Sequence, residues 1–490
     1  MKRIKISLIF VLISLTSTFG QNFQTINSNR IAFFENEYNN VKAVRIDSVK
    51  YQNDSLLFPF TTIQQFDYDC FSPFEASWIG KSVIIKNNGL NEFVNKMGDT
   101  ISIKTDASLG DTWIAFALYD SLTIEASVVS YDTLTFIGIT DSVKTIKFQV
   151  YDKNMNLLNW ELNNMNIRIS KFHGFVTTLN FSLFPNCQFY NPYDTEILEE
   201  YNLTGLSNPK AGVSNLTWFE VNDFQVGDEL HVLDESSCWN IYGTGSATTN
   251  KAIYKYLERT DYSDSIVYRY SRKQSIHTVW TDSSDFKYYD DTLTTTIKTD
   301  PLFDKLPGEP IIENELITYS FRMKNDFHLS KFNLRGFEIY SFDGSSCWNT
   351  IILDGCLKEN QYIKGLGGPY YYCNEAFCLG GAERRLVYYK KGGVTWGNPL
   401  TITGISDASI SSDITIFPNP TKNQITVDIS DGNYQDLQIF IYDIQGKLQK
   451  TECLEPDNST INISSLDSGV YILKISDNDK VLKMDRLIIE

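Results

Sequence analysis

Four histidines, His173, His231, His277 and His328, are all that this 490-residue chain contains. Nucleophilic triads and imidazole metal sites both depend on histidine, so the scarcity narrows the chemistry. No His-Glu-x-x-His, Gly-x-Ser-x-Gly or Gly-x-x-x-x-Gly-Lys-Ser/Thr occurs. The common zinc-protease, hydrolase-elbow and phosphate-cradle signatures are therefore missing. The most suggestive cluster is Gly227-Asp228-Glu229-Leu230-His231. On a strand, alternation puts Glu229 and His231 on one face, where a general acid–base pair can be built. The plainer expectation is a turn at Gly227-Asp228 leading into an ordinary strand. The 60 acidic residues leave paired-carboxylate hydrolysis open but single out no pair. Asp282, Asp285, Asp290 and Asp291 are acidic enough for calcium, the one cofactor the sequence leaves room for. They lack the turn glycine and terminal glutamate of a calcium loop, so a solvated loop is expected. No catalytic residue and no metal ligand is nominated.

Aromatic residues are the other source of chemistry. Pro369-Tyr370-Tyr371-Tyr372, with Trp396 and Trp348, can stack on sugar rings or fill a strand core. Ser236-Ser237-Cys238-Trp239-Asn240 recurs at 345–349. The expectation is a duplicated strand-and-loop unit whose tryptophan packs on a bridge or core. The alternative makes Trp239 and Trp348 equivalent ligand-facing rings. Candidate binding residues are thus Tyr370, Tyr371, Trp396, Trp239 and Trp348.

The chain has eight cysteines. Zinc would need Cys-x-x-Cys spacing or adjacent histidines, and neither occurs. Export would permit disulfides, and proximity in sequence favours Cys347 with Cys356 and Cys373 with Cys378. Loss of the segment holding Cys453 would leave an odd number, so a buried free thiol is expected.

The elements that must position these residues are read next. The chain is 42% hydrophobic and 14% aromatic, rich in the types that favour half-buried pleated surfaces. Its length suits roughly three domains of about 150 residues. The formal charge of −17, with no long basic run, sets nucleic-acid binding aside and suits solubility.

Residues 1–20 have the three-part layout of a secretory signal peptide: basic Met1-Lys2-Arg3-Ile4-Lys5, an apolar run at 7–15, then small residues before Gln21. The apolar run is short of the about 20 residues that cross a bilayer, and no other run predicts a transmembrane helix. The first cysteine is Cys70, which argues against a lipid anchor. Alternation dominates residues 21–400. Strands are expected at 121–130, 133–139, 142–151 and 166–170, with turns at Thr140-Asp141 and 152–154. A second run is expected at 265–270, 274–280, 315–323 and 386–389, with a hairpin about Gly392-Gly393. Residues 249–259 give the best helical spacing. The fold class is all-β: antiparallel half-barrel or sandwich domains at 21–205 and 206–400, a small polar linker at 401–413, and a last domain at 414–490.

In that last domain an apolar strand enters Pro418-Asn419-Pro420, and alternating strands follow at 424–429, 437–443, 459–463, 470–475 and 481–489. Short strands at this spacing predict a β-sandwich. The segment resembles the type A C-terminal sorting domain of type IX secretion cargo. The likeness is carried by ITIFPNPTKNQITV (414–427), IYDIQGKLQ (441–449), INISSLDSGVYILKI (461–475) and KMDRLIIE (483–490). Its motif residues here are Pro418, Asn419, Pro420, Tyr442, Asp443, Gly446, Leu466, Gly469 and Tyr471. The acidic Glu490 departs from the basic ending frequent in that family. The resemblance implies passage through the periplasm and across a Gram-negative outer membrane. The partners it implies are the type IX machinery and its sorting peptidase, which cuts in the linker and leaves the cargo released or surface-attached. GDELH (227–231), GLGGPYY (365–371) and LVYYKKG (386–392) resemble pieces of other secreted proteins with this sorting domain, a likeness that implies export and no chemistry. The expected function is a non-enzymatic surface or secreted module binding an extracellular glycan or protein. The alternatives are a secreted hydrolase with paired carboxylates and a structural surface protein. A cleft holding two carboxylates about 5–10 Å apart would favour the hydrolase.

Overall fold

The computed structural model describes residues 23–490 apart from 52, 68–69, 119–120, 188–196, 240–242, 314–315, 335–338, 343–346, 352–358, 375–378, 403–413, 430–435, 456 and 478–479. The expected signal peptide and most of the expected linker lie outside the described residues. The described chain is nearly all β, in several antiparallel sheets with no closed barrel. It divides into two compact units. One holds residues up to 400 except 250–252 and 273–290; the other holds those stretches and 401–490.

In the first unit, strands form because apolar residues fall at every second position. Leu122–Phe136 buries Leu122, Ile124, Ala126 and Val128 between more exposed neighbours. Its partner Ile139–Asp152 sets Val150, Phe148 and Ile146 directly opposite the last three. These cross-strand pairs fix the register, because a one-residue slip would turn them to water. Two long strands thus replace the three shorter ones expected. The turn lies at Ile137-Gly138, not Thr140-Asp141. Both turn residues have positive φ, 43° and 79°, as a two-residue hairpin loop with the right twist requires. Residues 249–259 lie within the strand Gly245–Asp261, not a helix. Its Thr, Ile and Tyr residues favour a strand, and a neighbouring strand, Ser265–Trp280, takes up its backbone groups.

One ladder of hydrogen-bonded strands runs through the unit. It starts at Thr112–Leu118 and passes through Leu122–Phe136, Ile139–Asp152, Asn166–Ser170 and Gly174–Leu179 to Glu200–Ser207. Ala32–Glu35 and Asn40–Val44 carry it on to Arg322–Asn325. It continues through Leu329–Leu334, Glu359–Ile363 and Gly367–Asn374 to Leu379–Lys391. That last strand also carries Glu229–Trp239 and Val394–Gly397. Leu206 sits inside Glu200–Ser207, and backbone pairing runs on from both sides of it. A large aromatic core that includes Phe93, Phe175, Phe181 and Phe184 packs beneath the first half. A smaller one, with Phe224, Tyr268, Leu366 and Tyr389, packs beneath the second.

Cys347 is bonded to Cys70, 277 residues away, and not to Cys356. The strands Cys70–Ser72 and Trp348–Ile351 are neighbours, with Phe71 opposite Trp348, and this puts the two Cα atoms 4.8 Å apart. Pairing across the sheet overrides proximity in sequence. Cys238 and Cys373 are also in disulfides, while Cys356 and Cys378 lie outside the described residues. Cys187 is a buried free thiol, which burial pushes up in pKa, and Cys453 is an exposed one.

In the second unit, residues 414–490 form a three-stranded and a four-stranded sheet about a core including Ile425, Val427, Ile439, Ile441, Leu473 and Ile475. The motif residues have visible tasks. Asn419 donates to Arg486 O (2.5 Å) and accepts from Ile488 N–H (2.9 Å), clasping the last strand. Asp443 accepts from the Gln445 and Lys447 amides (3.0 Å each) and from Gln449 Nε2 (2.7 Å). These bonds, the Lys447 amide foremost, hold the Asp443 carboxyl below the ordinary carboxylate range. Gly446 takes φ 81° in the same turn, a conformation that favours glycine. Tyr471 Oη donates to Asp467 O (2.8 Å), and Leu466 packs against the core.

Candidate functional site

An aromatic groove of about 480 Å³ lies on the second half of the long ladder. Its spine is the strand Leu379–Lys391. A hairpin at Gly392-Gly393, with φ 56° and 83°, folds Val394–Gly397 back and sets Trp396 opposite Tyr389. Their rings stack at 5.8 Å, 18° from parallel. Gly397 allows this approach, since a Cβ there would lie 2.1 Å from Val387 O. His328 Nε2 is 3.2 Å from Tyr389 Oη, and Phe327 packs edge-on against the imidazole at 4.4 Å. Tyr370 closes the floor and donates to Leu366 O at 2.6 Å. Tyr370, Tyr389 and Leu366 are buried, whereas Phe327 (70% exposed), Tyr372 (61%) and Trp396 (43%) stand at the rim.

Most charged residues at the groove are tied to one another, whereas Asp326, which also lines it, has no ion pair among the described residues. Arg385 pairs with Glu235 (2.6 Å) and Glu383 (3.3 Å), Arg384 with Asp234 (3.0 Å), and Glu359 with Arg322 (2.7 Å). Burial pushes the His328 imidazole below its usual pKa, against the opposing pull of Asp326, and pushes the Tyr370 phenol up. Both are therefore neutral at neutral pH. The arrangement offers ring faces and fixed polar edges, and both lining arginines are ion-paired, although Arg384 Nε is buried without a hydrogen-bond partner among the described residues.

Of the five aromatic residues expected to bind, the structure gathers Tyr370, Tyr371 and Trp396 at this groove. Trp348 lies in another sheet, edge-on to Phe74 at 5.9 Å. Trp239 ends its strand opposite Leu379. Sequence reasoning missed Phe327, His328 and Tyr389 as groove residues, and named Tyr372 only as part of the tyrosine run. Phe327-His328 is an isolated doublet, and only the ladder through three intervening strands brings it to Trp396.

The Gly227–His231 cluster serves as an anchor. His231 is buried, and both its ring nitrogens are engaged: Nδ1 accepts from the Leu400 amide (2.8 Å), so Nε2 donates to Glu229 (2.9 Å). No lone pair remains to act as a base. Asp228 takes the Lys391 ammonium (2.5 Å) and the Gln225 amide (2.8 Å), pinning the end of the spine strand. Ser170, His173 and Asp141 meet elsewhere without making a nucleophilic triad. Ser170 donates to Asp141 Oδ2, and His173 Nδ1 reaches that same oxygen at 3.1 Å. The serine is buried and its hydroxyl is aimed at the carboxylate, whereas a nucleophile must face its base. Burial pushes the Asp141 carboxyl up, but hydrogen bonds from Ser170, Phe172, His173 and Ser142 outweigh it and hold it low.

Asp285, Asp290 and Asp291, weighed for calcium, lie on the extended strand Ser284–Lys298 and pair with Lys287 (3.3 Å), Lys273 (3.8 Å) and Arg272 (2.6 Å). Adjacent strand residues point to opposite faces, so Asp290 and Asp291 do not converge. Among the described residues, no group of three or more His, Cys, Asp or Glu side chains is placed to hold a metal ion. No described helix is long and apolar enough to cross a membrane.

Residues 415–490 match the family model of the secretion system C-terminal sorting domain. This match establishes the sorting domain expected from the sequence, and with it export to the outside, secreted or attached to the outer surface. No curated protein matches the chain. Among solved structures, the extracellular domain of BT4673 from B. thetaiotaomicron aligns over 96% of this chain and 99% of its own. The identity is 9% and the TM-score 0.13, too low to carry an argument.

Proposed function

We propose that this type IX secretion cargo is a recognition module that binds an extracellular glycan or protein at its aromatic groove and performs no chemistry there. The observation that supports it is the rim of three exposed rings, Phe327, Tyr372 and Trp396, over the buried floor of Tyr370 and Tyr389. Exposed rings cost solvation and are retained in water where they serve contact. The surrounding side chains fit binding better than hydrolysis. Glu359 and Glu383 are each engaged by an arginine, which leaves Asp326 without a free carboxyl partner among the described lining residues, whereas glycoside hydrolysis needs two. The finer expectations follow the same reading: the type IX machinery and its sorting peptidase act on the tail, and the cargo meets its ligand outside the cell.

The test is to incubate the exported chain on arrayed extracellular polysaccharides and proteins. Retention and released reducing ends or peptides are then recorded from the same spots. Retention without products is expected. Products that persist through repurification would show an enzyme and overturn the reading.

A further inference from the structure

From the charge and shape of the groove we infer that its ligand is an uncharged glycan, with pyranose rings lying on Trp396, Phe327 and Tyr372. This rests on the proposed recognition role and narrows it to one ligand class. Three observations carry it.

The first is electrostatic. The two arginines that line the groove, Arg384 and Arg385, are each held by carboxylates, and Glu359 is held by Arg322. A phosphate, sulfate or uronate would meet arginines whose charge is already offset by carboxylates, and the chain's formal charge of −17 would oppose its approach. A cationic peptide would find Glu359 and Glu383 already engaged, with Asp326 alone left to meet its charges. The second is the shape of the polar groups. Gln361, Glu383 and Arg385 end in planar forks fixed by their neighbours, and paired forks of this kind suit vicinal hydroxyls. The register puts Gln361 between Phe332 and Tyr370 on adjacent strands, and Glu383 opposite Tyr372. Gln361 and Glu383 therefore each adjoin a ring. The third is the rim. An apolar peptide side chain needs a deep enclosed pocket, whereas the exposed rings here stand beside an open groove whose floor is already filled by Tyr370, Tyr389 and Leu366. Sugar rings bring axial C–H faces to aromatic planes and keep their hydroxyls in water, so a shallow groove suffices for them.

The experiment is calorimetric titration of the full exported chain with cellohexaose, mannohexaose and xylohexaose. A hexagalacturonate and an equimolar mixture of aromatic-rich decapeptides are titrated in parallel. Trp396→Ala, Trp396→Phe and Tyr372→Ala are compared, with near-ultraviolet circular dichroism confirming the fold of each. At least one neutral hexaose should bind. Trp396→Ala should weaken it by about tenfold or more, with Trp396→Phe between, as expected for loss of one stacking face. The hexagalacturonate should bind more weakly than the neutral sugars. Binding of peptide alone, lost in Trp396→Ala, would overturn the glycan assignment while leaving the groove as the recognition site. Neutral-sugar binding unchanged in folded Trp396→Ala and Tyr372→Ala would overturn the groove itself. No binding by any neutral hexaose at millimolar concentration would overturn the inference outright.

Discussion

His231 shows how a residue chosen for its chemistry can turn out to be architecture. It is held from both sides, by the Leu400 amide and by Glu229. His231→Ala should therefore cost about 1–3 kcal/mol in chemical denaturation, the cost of leaving buried polar groups unpaired, with ligand retention unchanged once folded. Lys331 is the opposite case, a charged residue that sequence patterning placed nowhere. It is fully buried on the strand Leu329–Leu334, and its ammonium donates to Phe303 O (2.6 Å) and Lys305 O (2.9 Å) between the rings of Phe303 and Phe321. Burial pushes its pKa down to about 7, despite the nearby carboxylates of Asp304, Glu220, Glu309 and Asp300. In the unfolded chain the value returns to about 10.4. Between these values the unfolded state binds a proton that the folded state lacks, so this residue makes stability rise with pH from about 7 to about 10. Lys331→Met should flatten that rise, and urea midpoints across the range will show it. A slope identical in variant and wild type would mean that the ammonium is not desolvated as described.

At the level of elements, close approach governs the site. Gly397 combines φ 82° with a Cβ direction 2.1 Å from Val387 O. Gly397→Ala should prise Val394–Gly397 from the spine strand and displace Trp396. The expected result is a loss of ligand retention greater than the loss of global stability, which calorimetry and array binding will separate. In the sorting domain, Asn419→Ala removes two bonds to the last strand and should lower that domain's stability by about 1–2 kcal/mol, measured by hydrogen exchange at Ile488 and its neighbours. Much of this level was legible in the sequence. The alternation of 121–130 and 133–139, the Gly392-Gly393 hairpin and the sandwich at 414–490 are all local patterns, although the first two stretches prove to lie largely in one strand. What was not legible depended on distant partners. Residues 249–259 carry spacing compatible with a helix, and only the neighbouring strand decides for β. Cys347 has Cys356 nearby in sequence, yet the ladder delivers Cys70. Tyr370 and Trp396 drew notice as a cluster of ring-bearing residues, while Phe327 and His328 reach them only through register.

For the whole molecule, the sorting domain sets the destination, and the groove is offered to what is found there. Deletion of residues 414–490 should leave the cargo in the periplasm, as fractionation of the host will reveal; secretion that persists would place the export signal elsewhere in the chain. The acidic surface, the paired charges about the groove and the rings at its rim fit a molecule that meets neutral ligands in water rather than nucleic acid. The most direct measurement is retention of the wild-type exported chain and of Trp396→Ala, side by side, on the array ligand that the wild type holds best. The account predicts loss of about tenfold or more for the variant with its fold intact. Equal retention by both chains would contradict it, because recognition would then lie outside the groove.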